Sequence, residues 1–116
     1  METGNRTFKR NPRHVLTHHA YKRLCELVDE RDHGLCVICG RRGAEHHHVI
    51  FRSAGGHDAE NNMVLLCTEC HAKFAHGVDE KFWKEQFQGY LQSEEIKDWR
   101  ERHKIRIEKI ERRRKR

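Results

Sequence analysis

Apolar residues recur at helical spacing in three stretches of this chain. The first stretch places its apolar face at Tyr21, Leu24, Cys25 and Val28. Positions three and four residues apart share one side of a helix, so this pattern predicts a helix with one buried face. Thr17 can cap the helix, which we expect to run to about Asp32 and to stop at Gly34.

Two further helices are predicted in the second half of the chain. Asp79 can cap one helix, whose wide apolar face is formed by Phe82, Trp83, Phe87, Tyr90 and Leu91. Ser93 can cap the last helix, and the acidic residues that follow it suit the positive N-terminal end of a helix. Its stripe consists of Ile96, Trp99, His103, Ile107 and Ile110. We expect this stripe to pack on the body of the protein or on a second copy.

Shorter patterns fill the region between these helices. Residues 46–51 and Met63–Leu66 predict two short strands, with a glycine-containing loop at residues 53–58 between them. A helix is expected from Cys70 to about His76, where Gly77 ends it. The predicted order is therefore strand, loop, strand and helix.

Composition limits the size of the core and suggests a partner. The chain has 116 residues, with 35% hydrophobic and 36% charged residues, which suits one small domain with a modest core. The net charge is +6, and the segment from residue 100 to residue 116 holds ten Lys or Arg against three Glu. An excess of positive charge favours an anionic partner such as nucleic acid.

The same sequence argues against membrane insertion and export. No apolar run approaches the roughly 20 residues that span a bilayer, and the basic N-terminus is not followed by an apolar segment. We therefore expect a cytoplasmic protein. Three regions are expected: a flexible basic arm at residues 1–14, a central domain at 15–92 with its core at about 45–76, and a basic helix and tail at 93–116.

Four cysteines form two pairs with metal-ligand spacing. Cys36 and Cys39 make one Cys-x-x-Cys pair, and Cys67 and Cys70 make the other. Four thiolates complete the tetrahedral shell of a structural zinc ion and leave no open position for catalysis. The paired spacing and the odd total of five cysteines disfavour disulfides, and Cys25 is expected to be a thiol of the core.

Further motifs lie between and beside these pairs. In chain order they are Glu45-His46-His47-His48-Val49, Arg52-Ser53-Ala54-Gly55-Gly56, Asn62-Met63-Val64-Leu65-Leu66-Cys67 and Cys70-His71. Together with His76, this series resembles the HNH endonucleases of the ββα-metal class over residues 36–76. The resemblance implies a small α+β fold, in which two short antiparallel strands and a helix are stapled by a four-cysteine zinc site and flanked by N- and C-terminal helices.

The resemblance also implies roles for individual residues. His48 would be the general base, His47 and His71 would bind a catalytic divalent ion, and Asn62 would orient the loop after His48. The triple histidine leaves a second register open, with His46 as ligand and His47 as base. His76 could be an auxiliary ligand, a phosphate contact or simply the helix end.

Cofactors and partners follow from the same reasoning. Imidazole ligands favour Mn²⁺, Ni²⁺, Co²⁺ or Zn²⁺ over Mg²⁺ at the catalytic site, although Mg²⁺ stays a candidate. Contacts to nucleic acid are expected from Arg52 and from the C-terminal run Arg112, Arg113, Arg114, Lys115 and Arg116. The alternative for Arg52 is an ordinary solvated surface arginine, and the alternative for the C-terminal run is a solvated, disordered tail.

The sequence therefore predicts a metal-dependent HNH endonuclease that nicks or cuts duplex DNA with weak sequence specificity. By resemblance it would be encoded by a bacterium or a phage, leave 5′-phosphate ends and serve phage packaging or restriction. A zinc-stabilised DNA- or RNA-binding module without catalysis is the alternative, and an RNA substrate, a homodimer and a phage terminase partner are left open.

Overall fold

A computed structural model describes residues 13–115 of the chain, and residues 1–12 of the predicted arm lie outside the described residues, as does Arg116. The described part contains five α-helices and one two-stranded antiparallel sheet. In chain order the elements are α1 (His18–Arg31), β1 (Glu45–His48), β2 (Met63–Leu66), α2 (Thr68–Cys70), α3 (Glu80–Leu91), α4 (Glu94–Arg102) and α5 (Lys104–Glu111). The predicted small α+β class is confirmed.

Helix α1 has the cap that its sequence predicts, but its buried face differs in part, because the predicted Tyr21 and Cys25 are only partly buried. The Thr17 side chain accepts a hydrogen bond from the Ala20 amide at 3.3 Å, which satisfies one of the free N–H groups at the helix start. Residues Ala20, Leu24, Leu27 and Val28 are buried in the core. At the other end, the Gly34 amide donates to the Asp29 carbonyl at 2.8 Å.

The two strands pair over four residues each. Glu45 lies opposite Leu66, and His48 lies opposite Met63. Strand β1 is shorter than predicted, because beyond His48 the backbone of Ile50 is hydrogen-bonded by the side chain of Asn62 instead of by a facing strand. The chain therefore turns away from the sheet directly after the triple histidine.

Strand β2 is buried over its whole length and separates two parts of the core. Met63 and Leu65 belong to one cluster, which contains the apolar residues of α1 together with Trp99 and Ile107. Val64 and Leu66 belong to the other cluster, which contains three of the paired cysteines and two residues of α3. Because successive strand residues point to opposite faces, one short strand serves both clusters.

The helical segment after β2 begins earlier than predicted and has unusual hydrogen bonding. It starts with α2 at Thr68, where the Cys67 sulfur accepts from the Cys70 amide at 3.3 Å. It then continues as a π-helical turn over His71–Ala75, in place of the regular helix that the sequence predicts. At its end, a Cβ on Gly77 would lie 2.0 Å from the Lys73 carbonyl oxygen, so only glycine allows this close approach.

The predicted last helix is in fact two helices, α4 and α5, which meet at His103. The Nδ1 atom of His103 lies 2.8 Å from the Trp99 carbonyl oxygen, and the His103 ring stacks on the Trp99 ring. These contacts accompany a non-helical backbone at His103, which explains why one continuous apolar stripe is divided between two helices. Ile96, Trp99 and Ile107 are buried, and Trp99 and Ile107 join the α1 cluster, so the stripe packs on the body of the protein.

Helix α3 begins where predicted, but the Asp79 side chain makes no capping hydrogen bond. Within residues 13–115, no helix has both the length and the apolar character needed to cross a membrane.

A buried guanidinium connects several of these elements. Arg31, at the end of α1, is 2% exposed, and it donates to both carboxylate oxygens of Asp32 at 2.8 and 2.9 Å. It also donates to the Glu60 carboxylate at 2.8 Å, and to the backbone carbonyls of Glu60 and Met63 at 2.7 and 2.6 Å. All the donor groups of Arg31 therefore point at acceptors, as burial of a charge requires.

The two carboxylates extend the network to the rest of the chain. Asp32 accepts from the Leu65 amide of β2 at 3.0 Å and from the Tyr90 hydroxyl of α3 at 2.5 Å. Glu60 accepts from Arg100 of α4, which also donates to the Leu91 carbonyl at 3.0 Å. The network therefore links α1, β2, α3 and α4.

We predict that Glu60→Gln lowers the free energy of unfolding by about 3–5 kcal/mol, because it leaves buried guanidinium groups facing an amide. Glu30→Gln is the matched control, because Glu30 pairs with Arg106 on the surface at 2.8 Å. That change should cost no more than about 1 kcal/mol. Urea unfolding of the zinc-loaded proteins measures both, and equal losses would contradict a stabilising role of the buried network.

Candidate metal centres and active site

The four paired cysteines meet in one cluster. Their sulfur atoms all lie within 4.8 Å of one another, and the sulfurs of Cys39 and Cys67 are 3.7 Å apart. Zinc–sulfur bonds of about 2.3 Å place tetrahedral sulfurs about 3.8 Å apart, so the donor set fits a zinc ion. Cys25 is not part of this cluster and packs, half-buried, against the α1 core.

Backbone turns present the sulfurs of each pair. In the first turn the Gly40 amide donates to the Cys36 carbonyl at 2.9 Å, and the Arg41 amide donates to the Cys39 sulfur at 3.5 Å. Hydrogen bonds from the side chain and backbone of Arg41 lower the pKa of Cys39 to about 6, which favours the thiolate that a metal requires. Arg41 also reaches Glu69 of the second turn at 2.8 Å, so an ion pair joins the two turns.

A second cluster is formed by three histidines. The nitrogen atoms of His47, His71 and His76 lie within 4.8 Å of one another, and Nε2 of His71 is 3.1 Å from Nε2 of His76. Such spacing suits imidazoles that share one ion, because metal–nitrogen bonds are about 2.0–2.1 Å long. The rings of Phe51 and Phe87 meet the His47 ring edge-on on other sides.

The π-helical turn explains how His76 reaches this cluster. His71 and His76 are five residues apart, a separation that would point them to different sides of a regular α-helix. A π-helix bonds residues at i and i+5, and the turn over His71–Ala75 brings both imidazoles to one side. The extra residue in this turn is the physical reason why the five-residue spacing can serve a common site.

The neighbouring histidines His46 and His47 have pKa values shifted in opposite directions. Burial, with the charges of neighbouring imidazoles, lowers the pKa of His47 to about 3, and burial also lowers the pKa of His71. Hydrogen bonds to Cys25 and to Asp29, the latter 2.7 Å long, raise the pKa of His46 to about 9. At neutral pH His47 is therefore free to bind a metal, whereas His46 carries a proton and is turned toward α1.

His48 lies beside the histidine cluster but has different partners. Its Nε2 atom is 2.9 Å from Oδ1 of Asp58, and its ring stacks on Tyr21 with centroids 6.2 Å apart. Burial lowers the pKa of His48 against the opposing effect of Asp58, so the imidazole is neutral at pH 7. A neutral imidazole in this position can accept a proton.

Asn62 holds the loop that follows His48. Its side chain accepts from the Ile50 amide at 2.8 Å and donates to the Ile50 and His57 carbonyls at 3.2 and 2.9 Å. The loop is also tight at Gly56, where a Cβ would lie 1.7 Å from the Ile50 carbonyl oxygen. The amide of Asn62 thus ties the two ends of the loop to the start of β2.

The histidines open onto one shallow cavity of about 360 Å³. It is lined by all three residues of the triple histidine, by His71 and His76, and by Tyr21, Phe51, Arg52 and Ser53. Arg52 is exposed at the rim, where its guanidinium lies 5.1 Å from the centre of the Tyr21 ring. The cavity therefore combines imidazoles, a cation and access to solvent.

The C-terminal basic residues do not line this cavity. Arg112, Arg113, Arg114 and Lys115 are exposed, and Arg116 lies outside the described residues. Their backbone pairs with the segment before α1: the Thr17 amide donates to the Arg113 carbonyl at 2.9 Å, and the Lys115 amide donates to the Val15 carbonyl at 2.6 Å. The basic segment is thus anchored as far as Lys115.

The neighbours of His48 are residues that the sequence patterns do not single out for the site. Asp58 falls in the predicted loop, although an acidic side chain ten positions after a histidine cluster is a usable signal for a partner of one of them. Arg13 falls in the predicted basic arm, yet it donates to Asp58 at 3.0 Å. Tyr21 is marked by its spacing only as a member of the α1 apolar face.

Comparison with known proteins gives two findings. The family model for HNH endonuclease matches residues 36–76, about a third of the chain. The type IV methyl-directed restriction enzyme EcoKMcrA of Escherichia coli strain K12 is 32% identical over 62 residues, which cover 45% of this chain and 22% of that enzyme. The matched region spans about a fifth of the relative's length.

The two matched descriptions are an endonuclease family and a restriction enzyme. The four-cysteine cluster is compatible with zinc. Over residues 36–76 this chain thus carries the HNH endonuclease motif with its four-cysteine cluster, which confirms the family resemblance that the sequence predicted.

Proposed function

We propose that this protein is a metal-dependent endonuclease that hydrolyses DNA phosphodiester bonds. The observation that carries the proposal is the convergence of His47, His71 and His76 within 4.8 Å, on a cavity that also contains His48. A binding module has no need of three imidazoles that face one another, with His47 buried and His71 half-buried, beside a neutral, hydrogen-bonded histidine.

His47, His71 and His76 would hold the catalytic ion, and the cysteine cluster would hold a structural zinc. A divalent ion at the histidines would supply Lewis-acid stabilisation of the charge that develops on the phosphate and on the leaving 3′ oxygen. Three imidazole ligands favour Mn²⁺, Ni²⁺, Co²⁺ or Zn²⁺. Mg²⁺ has a lower affinity for imidazole and would occupy the site only because it is abundant in the cell.

His48 would act as the general base. It would take a proton from the attacking water, which requires a neutral imidazole at working pH, and burial keeps its pKa below the usual value. Asn62 would hold the loop after His48 through its hydrogen bonds to Ile50 and His57. In-line attack by water on the phosphorus would leave 5′-phosphate and 3′-hydroxyl ends.

Phosphate contacts would come from two places. Arg52 at the cavity rim would meet the phosphate next to the bond that is cut, and the exposed tail residues 112–115 would bind backbone phosphates at a distance. Neither set offers a groove-reading element, so sequence preference should be weak. Restriction is the biological role we favour, because the E. coli relative is a restriction enzyme; a role in phage packaging with a terminase, and a homodimer, have no observation behind them.

We predict that the wild-type protein nicks supercoiled plasmid with Mn²⁺, and that His48→Ala slows this reaction by roughly 10²–10⁴-fold, the range of a general base. His46→Ala is the control and should stay within a few-fold of wild type, because His46 pairs with Asp29. Loss in His46→Ala with activity retained in His48→Ala would favour the other register.

A wild-type protein that binds DNA but leaves the plasmid intact with Mn²⁺, Mg²⁺, Ni²⁺, Co²⁺ and Zn²⁺ would refute the endonuclease. In that case the zinc-stabilised DNA- or RNA-binding module would become the better description.

We predict that Cys67→Ser removes one equivalent of zinc and unfolds the domain, because the energy of binding at a structural site is folding energy. Elemental analysis and circular dichroism measure the two effects. Cys25→Ser makes the same chemical change outside the cluster and should retain both zinc and fold. Unchanged zinc content in Cys67→Ser would count against the structural site.

We predict that replacing Arg112, Arg114 and Lys115 together by Gln flattens the salt dependence of DNA binding while the fold is kept. These side chains are exposed, and the backbone pairing at Val15 and Thr17 survives the change. For each phosphate that the tail no longer neutralises, the slope of log K against log salt should become shallower by about 0.9. An unchanged slope would mean that the tail does not touch phosphate.

A further inference from the structure

Asp58 is a buried carboxylate that the proposed mechanism leaves without a role. It is 3% exposed and lies in the loop between the two strands. Its Oδ1 atom is 2.9 Å from Nε2 of His48, a contact across ten residues of sequence. A buried carboxylate on the proposed general base calls for a chemical explanation.

The carboxylate determines which nitrogen of His48 carries the proton. An ionised carboxylate has only acceptor atoms, so the neutral imidazole must donate Nε2–H to it. The lone pair then lies on Nδ1, which is the nitrogen left to accept a proton from water. A neutral carbonyl in place of the carboxylate would weaken the preference for the Nε2–H tautomer. An amide NH₂ group, which is a donor, would reverse it.

Other contacts prevent the carboxylate from turning away. Oδ2 accepts the Leu16 amide at 3.0 Å, and Oδ1 also accepts from Arg13 at 3.0 Å. The Asp58 amide in turn donates to the His14 carbonyl at 2.8 Å. Arg52 is farther from Oδ1, at 3.9 Å, and exposed. Both oxygens of Asp58 therefore accept hydrogen bonds, and the contact from Arg13 helps to hold Oδ1 in place beside His48.

We propose that Asp58 is the positioning residue of the active site, which holds His48 with Nε2 protonated and Nδ1 free to act as the base. The inference rests on the proposed function. Asp58 touches His48 and not the substrate, so it acts through the imidazole. In the course of the reaction the water proton goes to Nδ1, and the resulting imidazolium is stabilised by the adjacent carboxylate.

A consequence concerns the segment before α1. Arg13 and Leu16 lie outside residues 36–76, yet they fix the carboxylate that fixes the base. The active site therefore depends on residues that the family match does not include. The backbone of residues 113–115 supports the same segment from its other side.

The test is the isosteric change Asp58→Asn in the full, zinc-loaded chain. The asparagine oxygen can still accept the Leu16 amide, so the loop keeps this anchor, although the hydrogen bond from Arg13 to the other oxygen is lost. In place of that oxygen an NH₂ group faces Nε2 of His48, so this nitrogen becomes the acceptor. We expect kcat for plasmid nicking to fall by roughly 10²–10⁴-fold, with KM for DNA unchanged. Metal binding at the histidine cluster, followed by calorimetry with Mn²⁺, should also stay unchanged.

A second measurement does not depend on activity. In ¹⁵N-labelled protein, long-range nitrogen–proton NMR spectra report the tautomer of His48, assigned by its loss in His48→Ala. We expect the Nε2–H form in wild type and the Nδ1–H form in Asp58→Asn. Asp29→Asn is the matched control, because it makes the same change at the Asp29–His46 pair, and it should alter neither the His48 tautomer nor kcat.

The outcomes separate this inference from the proposed function. An active wild type with Asp58→Asn within threefold of its kcat, or a wild-type His48 in the Nδ1–H form, would overturn the positioning role. A wild type that is inactive with every metal would refute the endonuclease, and the NMR spectra would then still decide whether Asp58 sets the tautomer. A loss of kcat with the tautomer reversed supports the proposal.

Discussion

The buried guanidinium of Arg31 is the constraint on which the rest of the structure depends. It lies where α1 ends, and it binds two carboxylates and two backbone carbonyls in a place that water does not reach. Its partners Asp32 and Glu60 carry the connection to β2, α3 and α4. Removing water from so many charges is costly, and the hydrogen bonds compensate only while every element stays in place. The network therefore specifies one arrangement of helices around a two-stranded sheet that could not define it alone.

That arrangement determines the geometry of the proposed active site, because the loop between the strands is held at several points. Glu60 fixes its end to Arg31, Asn62 ties its start to its end, and Asp58 fastens its middle to the segment before α1. His48 leaves β1 directly into this loop. The position of the proposed base is thus set by contacts that come from both ends of the chain.

The two candidate metal sites differ in their surroundings. The cysteine cluster joins the turn before β1 to the turn after β2, with Arg41 and Glu69 bridging them. The histidine cluster lies on a cavity open to solvent, where an ion would keep positions for phosphate and water. Helix α2 and the π-helical turn connect the sites, since Cys70 and His71 are consecutive residues that serve different clusters. Loss of an ion from the cysteine cluster should therefore disturb the histidine cluster.

The sequence alone determined the features that depend on ligand type and local spacing. Two Cys-x-x-Cys pairs, the triple histidine before Arg52, and Asn62 ahead of an apolar strand were enough to predict the metal sites, the α+β class and the family resemblance. Tertiary structure decided what depends on packing across long separations. His76 joins His71 because a π-helical turn absorbs the fifth residue, and Asp58 meets Arg13 across 45 positions. His46 and His48 look alike in sequence, but the packing of α1 gives His46 a partner in Asp29, and the loop between the strands gives His48 a partner in Asp58. Contacts of this kind join residues that are distant in sequence, so the periodicity of apolar and polar positions cannot predict them.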